Sequence, residues 1–384
     1  MTSRDLTVAQ QTARILLAAG GTGGHLFPAE ALAHELISRG LAVDLVTDER
    51  GQGFGDKLPQ VSVHRIAAGG VAGKGISTRL QNLGRLGLGY LQSRGLIKRL
   101  RPSVAVGFGG YPSVPPLLAA QHAGVNTLLH EQNAVAGRAN RFLLKRASTV
   151  ATSFAKVKFL DQVPAMRRAL TGNPVRPDIA AIANQPYAAP TTEGSFNLLV
   201  VGGSQGARVF GELMPPAIAL LPAELRARLK LTQQCRAEDL EKVTALYQQL
   251  GLAVELQPFF RDIPARLATT HLLVSRAGAS TVAELTAAGR PAVMVPLPNS
   301  IDDHQAANAA SLAEAGGGWV APQKDYDAAK LAHLLADLMT NPAKLAAAAD
   351  VARRLGHRDA ATALADLVIG LLPAGAAQTK SEKN

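Results

Sequence analysis

The chain carries one cysteine in 384 residues, Cys235. A single thiol excludes an internal disulfide framework and any cluster of thiolate metal ligands, and it fits a reducing, cytoplasmic setting. Aromatic residues make up 4% of the chain, which argues against the stacking platforms that hold nucleic acid. Long apolar runs are missing too. The nearest approach, 104–120, is broken by Gly107, Gly109, Gly110, Pro112, Pro115 and Pro116, and it falls short of the ~20 residues that span a bilayer. The first apolar run, 15–19, is too short for the core of a signal peptide, and glycines follow it at once. Acidic residues are absent from the whole of 71–101.

What is present bounds the rest. Hydrophobic residues are 47% of the chain, enough for two cores, and the length exceeds what one core usually serves. The net charge of +11 favours an anionic partner: phosphorylated substrates, an acidic membrane face or nucleic acid. Charge alone does not choose among them.

The chain opens with an apolar strand, 14–19, a glycine-rich turn, Gly20-Gly21-Thr22-Gly23-Gly24-His25, a helix expected from Pro28 to about Arg39, and a second strand, 41–47. This is the start of a doubly wound parallel sheet. A dinucleotide fingerprint would need Gly or Ala at position 26, where Leu26 stands. Bare glycine backbone lets a phosphate or sugar come close and donates N–H bonds. His25 then projects from the helix start, where an imidazole can act as general base near neutral pH.

Strands 104–108 and 127–130 each end in polar groups, Gly109 to Ser113 and Glu131 to Ala134, and open α/β sheets bind ligands at such ends. The segment 177–194, rich in Pro, Ala and Thr, reads as a linker between domains. Beyond it the opening pattern returns: a strand, 196–201, and then Gly202-Gly203-Ser204-Gln205-Gly206-Ala207. Two such halves predict a cleft between two glycine-lined turns. A third turn, Arg276 to Ala279, leads into a helix expected over 280–288. Its first-turn N–H groups have no helical partner and its dipole favours negative charge. Ser280 and Thr281 add hydroxyl donors, and Glu284 lies about one turn in, where a carboxylate can accept both hydroxyls of a ribose. Residues 342–372 read as mostly helical, with Asn341 as cap and Gly356 as an interruption.

The acid-free stretch mixes leucines with Arg79, Arg85, Arg94, Lys98, Arg99 and Arg101. A basic segment with an apolar stripe can lie on an anionic membrane, and it can equally be a sheet-packing helix with solvated arginines. Gly84, Gly87 and Gly89 weaken a regular helix, so part of the segment is expected as loop.

In this order GGTGGHLFPAEALA (20–33), GFGGYPS (107–113), HEQNAVAGRANR (130–141), TGNPVR (171–176), VGGSQGA (201–207), SRAGASTVAEL (275–285) and DDHQAAN (302–308) resemble the GT-B glycosyltransferases, and within them the branch that makes lipid II for peptidoglycan. The resemblance covers nearly the whole chain. It implies two Rossmann-like doubly wound parallel-sheet α/β domains facing across a cleft: 13–176 on the acceptor and membrane side, 195–355 for the UDP-sugar, and a last helix, about 356–372, packing back on the first domain. It implies inverting transfer of N-acetylglucosamine from UDP-N-acetylglucosamine to the muramyl C4 hydroxyl of lipid I, undecaprenyl-pyrophosphoryl muramyl-pentapeptide. The setting would be the cytoplasmic face of the inner membrane, bound peripherally to an anionic surface, with no nucleic acid and no cofactor.

Carried over residue by residue, Thr22, Gly23 and Gly24 would line the donor sugar and diphosphate, and Asn133 would contact the sugar. Arg176 and Ser204 would hold the diphosphate, and the main chain of Phe260 would meet the uracil. Ala279, Ser280, Thr281, Val282, Ala283 and Glu284 would hold phosphate and ribose, and Gln305 the sugar. His25 is the candidate base, with Glu131 a second candidate or its orienting partner. A departing UDP can be stabilised by a helix N-terminus and Arg176 without a metal. Asp325-Tyr326-Asp327 matches a metal-binding Asp-x-Asp literally, but it opens a helical run and reads as a cap. The family's His-Gln-x-Gly corner is here Gln233-Gln234-Cys235-Arg236. The alternative is another GT-B enzyme, a glycolipid glycosyltransferase or a UDP-N-acetylglucosamine 2-epimerase, and a non-catalytic nucleotide-sugar-binding module is a third reading.

Overall fold

The computed structural model describes residues 13–20, 23–49, 58–69, 76–203 and 206–373. The first sheet holds β1 (Arg14–Ala18), β2 (Ala42–Thr47), β3 (Ser62–Arg65), β4 (Val104–Gly107), β5 (Asn126–Glu131), β6 (Thr149–Thr152) and β7 (Arg168–Leu170). They lie in the order β3-β2-β1-β4-β5-β6-β7 and every neighbour is parallel. The second sheet holds β8 (Phe196–Val201), β9 (Leu229–Gln234), β10 (Val254–Gln257), β11 (Leu272–Ser275), β12 (Ala292–Met294) and β13 (Gly318–Val320). Its order is β10-β9-β8-β11-β12-β13, again all parallel.

Parallel strands covered by helices on both faces must be apolar on both faces. In β1, Ile15 and Leu17 enter one core cluster while Leu16 and Ala18 enter the other. In β8, Leu198 and Val200 face one cluster and Leu199 the opposite one. The two-residue alternation of a strand divides each apolar run between two helical layers.

Several elements differ from the sequence expectation. The first helix is Gly23–Ser38, so it starts within the glycine run and Pro28 sits inside it. Pro28 lacks only the bond its N–H would make back to Gly24, at the open end of the helix. The acid-free stretch is continuous helix over Ile76–Leu100, where loop was expected in part; its first residues, 71–75, lie outside the described ones. Gly84 and Gly87 face open space, whereas a Cβ on Gly89 would lie 2.0 Å from the Ala67 carbonyl oxygen. Gly89 is therefore where this helix meets the chain leaving β3.

The segment read as a linker begins with a helix, Pro177–Ile182, because Ile179 and Ile182 bury against Leu267 and Leu285 of the second lobe. The C-terminal run divides at Gly356 into helices Pro342–Leu355 and Ala360–Gly370. A Cβ at Gly356 would stand 2.4 Å from the Thr286 carbonyl oxygen. The last helix returns to the first lobe: Leu364, Ala365 and Val368 share a core with Leu32 and Leu36, and Arg39 pairs with Asp366 at 2.5 Å. Asn341 occupies the cap position without a side-chain cap bond, since its Nδ2 donates to the Asp337 carbonyl at 2.7 Å. Asp327 does cap its helix, accepting from the Lys330 N–H at 2.8 Å.

Gly172 marks where the returning chain crosses the first lobe. Its φ is +80° and a Cβ there would lie 2.1 Å from the Cβ of His357. Left-handed backbone and overpacking both oppose any side chain. Gly172→Ala is expected to lower the unfolding free energy by about 2–4 kcal/mol, read as a lower denaturant midpoint at unchanged slope.

Candidate active site

The C-terminal ends of the two sheets face each other across a cleft of about 780 Å³. The first lobe contributes Gly23, Gly24, His25, Gly109, Gly110 and the turn after β5; the second contributes Gly202, Gly203, Gly206, Arg276, Ala279, Ser280, Thr281 and Glu284. The two glycine turns expected to oppose one another therefore line one space. Thr22 and Ser204, also expected there, lie outside the described residues.

His25 is the third residue of the first helix. Cβ atoms built on Gly20 and Gly110 would each lie 3.3 Å from its Cδ2, and one on Gly109 would lie 3.4 Å from its Cε1. The turns after β1 and β4 interlock around the imidazole, joined by Gly20 N–H donating to the Gly109 carbonyl at 3.2 Å. Gly109 and Gly110 have φ of +85° and +74°, a backbone that side chains resist. On the other side, His25 Nδ1 is 3.3 Å from Gln132 Oε1.

Glu131 is buried at the end of β5. Its Oε1 accepts from the Asn133 N–H at 3.0 Å, and its Oε2 from the Gly137 N–H and Asn140 Nδ2, both at 2.8 Å. Burial pushes its carboxyl up, and those donors pull the other way. Both oxygens hold the loop 131–140 in shape, an arrangement suited to an orienting group.

That loop carries the contact between lobes. Asn308 is fully buried. Its Oδ1 accepts from the Ala134 N–H at 2.8 Å, and its Nδ2 donates to Asn133 Oδ1 at 3.0 Å and the Ala277 carbonyl at 3.1 Å. Asp302 accepts from Arg138 at 3.0 Å and also pairs with Arg141. Asp302 and Asp303 hold φ of 53° and 52°, which Asp tolerates better than most residues.

In the second lobe the key helix is Ala279–Ala287. The Val282 N–H already bonds the Gly278 carbonyl at 3.0 Å, which leaves the amides of Ala279, Ser280 and Thr281 as the open first turn. Ser280 Oγ is buried without a partner among the described residues. Val282 and Ala283, expected at the ligand, do not line the cleft; Val282 sits in the core beneath it. Glu284 does line it, paired with Arg176 at 3.0 Å. Burial pushes the Glu284 carboxyl up, and the guanidinium opposes the rise. Phe260 is buried with the Arg266 guanidinium 4.3 Å from its ring centre. Gln305 lines the cleft, its Oε1 accepting from the Leu297 N–H at 2.9 Å. Among the described residues no three His, Cys, Asp or Glu side chains gather as metal ligands do.

Gln132, Gln234 and Arg276 were given no role from the sequence, and Asn308 was expected only as a polar group at the mouth of the cleft. Gln234 Oε1 accepts from the Gly202 N–H at 2.9 Å, while its Nε2 donates to the Gly203 and Pro258 carbonyls at 3.0 Å. It thereby holds the second glycine turn, at the corner where the sequence departs from the family pattern. Arg276 donates to the carbonyls of Val295 and Pro296 at 3.1 Å, which keeps a positive charge beside the open helix end. The available signal was position: Gln132 and Gln234 stand at strand C-terminal ends, the ligand edge of such sheets.

Comparison with known proteins gives a consistent result. Residues 15–152 match the glycosyltransferase family 28 N-terminal domain and residues 197–364 its C-terminal domain. A Rhodospirillum centenum protein is 54% identical over 93% of this chain and 94% of its own length. A Mesorhizobium japonicum protein is 50% identical over 92% and 94%. Both are named UDP-N-acetylglucosamine–N-acetylmuramyl-(pentapeptide) pyrophosphoryl-undecaprenol N-acetylglucosamine transferase. Among solved structures, MurG of Acinetobacter baumannii superposes with a TM-score of 0.77 at 31% identity, covering 93% of this chain and 99% of its own.

His130, fully buried on β5, provides a test of the first lobe's interior. Burial pushes its imidazolium down from 6.5 to about 4, although the Gly172 carbonyl pulls the other way. The unfolded chain therefore takes up this proton at higher pH than the folded one. Its contribution to stability is complete above pH 6.5 and is lost as pH falls towards 4, about 3 kcal/mol in all. Denaturant titrations are expected to show that fall, and His130→Gln should flatten it.

Proposed function

This chain belongs to glycosyltransferase family 28, and from that premise we propose that it transfers N-acetylglucosamine from UDP-N-acetylglucosamine to the C4 hydroxyl of undecaprenyl-pyrophosphoryl muramyl-pentapeptide, the lipid I to lipid II step of peptidoglycan synthesis. The observation that carries the reading is one cleft with His25 on one wall and the open helix end at Ala279–Thr281 on the other. The near-full-length relatives with this activity in their names supply the substrates.

The chemistry is a single in-line displacement. The acceptor C4 oxygen attacks the anomeric carbon of the donor, its proton passes to His25, and the bond from that carbon to the phosphate oxygen breaks. The new bond has inverted configuration. UDP leaves with added negative charge, which the amides of Ala279 to Thr281 and the Ser280 hydroxyl meet as donors. Arg176 adds a positive charge, and Glu284 accepts the ribose hydroxyls. These last two side chains bond each other, so donor binding exchanges their ion pair for one contact each. Glu131 acts as the orienting group, since its oxygens already serve the loop that carries Asn133. Thr22, Gly23, Gly24, Ser204, Phe260 and Gln305 complete the donor pocket in this reading.

Residues 13–176 form the acceptor side and 195–355 the donor side. The setting is the cytoplasmic face of the inner membrane, held peripherally, and through cell-wall biogenesis the activity bears on cell shape and division. The Ile76–Leu100 helix supports this: Leu80, Leu83, Leu88 and Leu91 are each more than half exposed, among exposed Arg85, Arg94, Lys98 and Arg99. Leucines at helical spacing among basic groups suit an anionic lipid surface. No helix among the described residues is long and apolar enough to cross a membrane.

UDP release from UDP-N-acetylglucosamine should require the muramyl lipid acceptor, and an epimerised sugar from donor alone would overturn the reading. His25→Ala should lower kcat by about 10²–10⁴-fold with donor binding retained in calorimetry. Replacing Arg85 and Arg94 by Glu should reduce co-sedimentation with phosphatidylglycerol vesicles and leave turnover of a soluble acceptor analogue intact.

A further inference from the structure

We infer that Gln132 is a positioning residue, whose side-chain amide holds His25 in the tautomer that carries its proton on Nδ1 and its lone pair on Nε2. The inference rests on His25 being the base of the reaction proposed above.

One contact of the Gln132 amide admits no choice of roles. Gln132 Nε2 lies 3.0 Å from the main-chain oxygen of His130. A carbonyl oxygen only accepts, so the amide must present its nitrogen there, whatever the state of any histidine. The same Nε2 lies 3.0 Å from His130 Nδ1, which must then accept. The proton of a neutral His130 therefore sits on Nε2, and that nitrogen is 3.0 Å from the Gly172 carbonyl oxygen, again an atom that only accepts. Two carbonyls thus close the chain at one end without contradiction.

The other end of the amide faces the cleft. Gln132 Oε1 is 3.3 Å from His25 Nδ1, and an amide oxygen only accepts. Nδ1 is the donor in that contact, and the lone pair is on Nε2. Cβ atoms at positions 20, 109 and 110 would stand 3.3–3.4 Å from the ring carbons, so bare glycine backbone leaves the ring its room on that side. An isolated imidazole divides its proton between two nitrogens, and a base needs one of them bare.

The relay contains no ion. His130 is buried and stays neutral, its imidazolium pushed down to about 4. Glu131 engages Asn133, Gly137 and Asn140. The charged groups elsewhere on the cleft wall are Arg138, Arg176, Arg208, Arg276, Glu284 and Asp302. The 3.3 Å contact to His25 Nδ1 comes from the amide dipole of Gln132, which differs from a histidine backed by a carboxylate at that nitrogen.

The decisive measurement is the ¹⁵N spectrum of His25 in the full-length wild-type protein at neutral pH. Nδ1 is expected to be pyrrole-like and Nε2 pyridine-like, assigned by loss of the signals in His25→Ala. A ring protonated mainly on Nε2, or an even mixture, would overturn the inference. Gln132→Leu should move His25 toward a mixture and lower kcat about tenfold or more, with KM for the donor unchanged. Turnover within twofold of wild type, with the tautomer unmoved, would also overturn it. If Gln132→Leu does not fold, the wild-type spectrum still decides. The two readings fail separately: turnover retained in His25→Ala removes the base but not the tautomer, whereas a mixed tautomer with an inactive His25→Ala removes only the role of Gln132.

Discussion

A buried amide joins the two lobes. Asn308 makes three bonds, to the Ala134 N–H, the Ala277 carbonyl and the Asn133 side chain, and has no exposure to water. Each buried polar group left unpaired costs about 1–3 kcal/mol. Lobe opening must therefore hydrate these groups together, and partial opening is the least favourable state. The Asp302 pairs with Arg138 and Arg141 lie further out, where Arg138 is more than half exposed; such exposed pairs contribute little. Asn308, the loop that Glu131 shapes and the Arg176–Glu284 pair thus all tie the wall that carries His25 to the open helix end.

The cleft arranges positive potential from both lobes without leaving it unpaired. Arg276 is held by carbonyls and Arg176 by Glu284, so each guanidinium has partners within the protein. Burial opposes ionisation of Glu284, and Arg176 offsets that effect in part. A diphosphate that attracts Arg176 must leave Glu284 with another donor, and the hydroxyls of a ribose are such donors. Under the proposed function this one ion pair would couple recognition of the two ends of a nucleoside diphosphate.

Much of the architecture was legible because parallel sheets announce themselves. Apolar runs such as 14–18 and 196–201, each followed by glycines, locate strand ends and hence the cleft. The helix Gly23–Ser38 was misjudged at its start because Pro28 normally marks a first turn, whereas the glycines before it already adopt helical backbone. The helix Ile76–Leu100 was misjudged because glycine propensity carries no knowledge of Ala67, whose carbonyl demands a residue without Cβ at position 89. His25 and Glu284, expected from type and context, and Arg176, expected from the resemblance, all line the cleft. The role of Gln132 was not legible, since a glutamine becomes informative only when its partners in space are known. Val282 and Ala283 were over-read: their neighbours line the cleft, but a helix presents only one side to it.

The glycines around His25 show why fold and chemistry cannot be separated here. Gly109 and Gly110 adopt positive φ so that the chain after β4 can turn beneath the chain after β1. The same lack of side chains leaves room for an imidazole between the two turns. A larger residue at either position would strain the turn and also displace the ring from Gln132. The His25 ring is therefore held from its carbon side by shape and from its nitrogen side by hydrogen bonding. Shape limits where the ring can be, and the amide limits which nitrogen bears the proton. Neither constraint supplies charge; the Arg176 guanidinium and the open first turn at Ala279 to Thr281, both positive, line the same cleft as the ring.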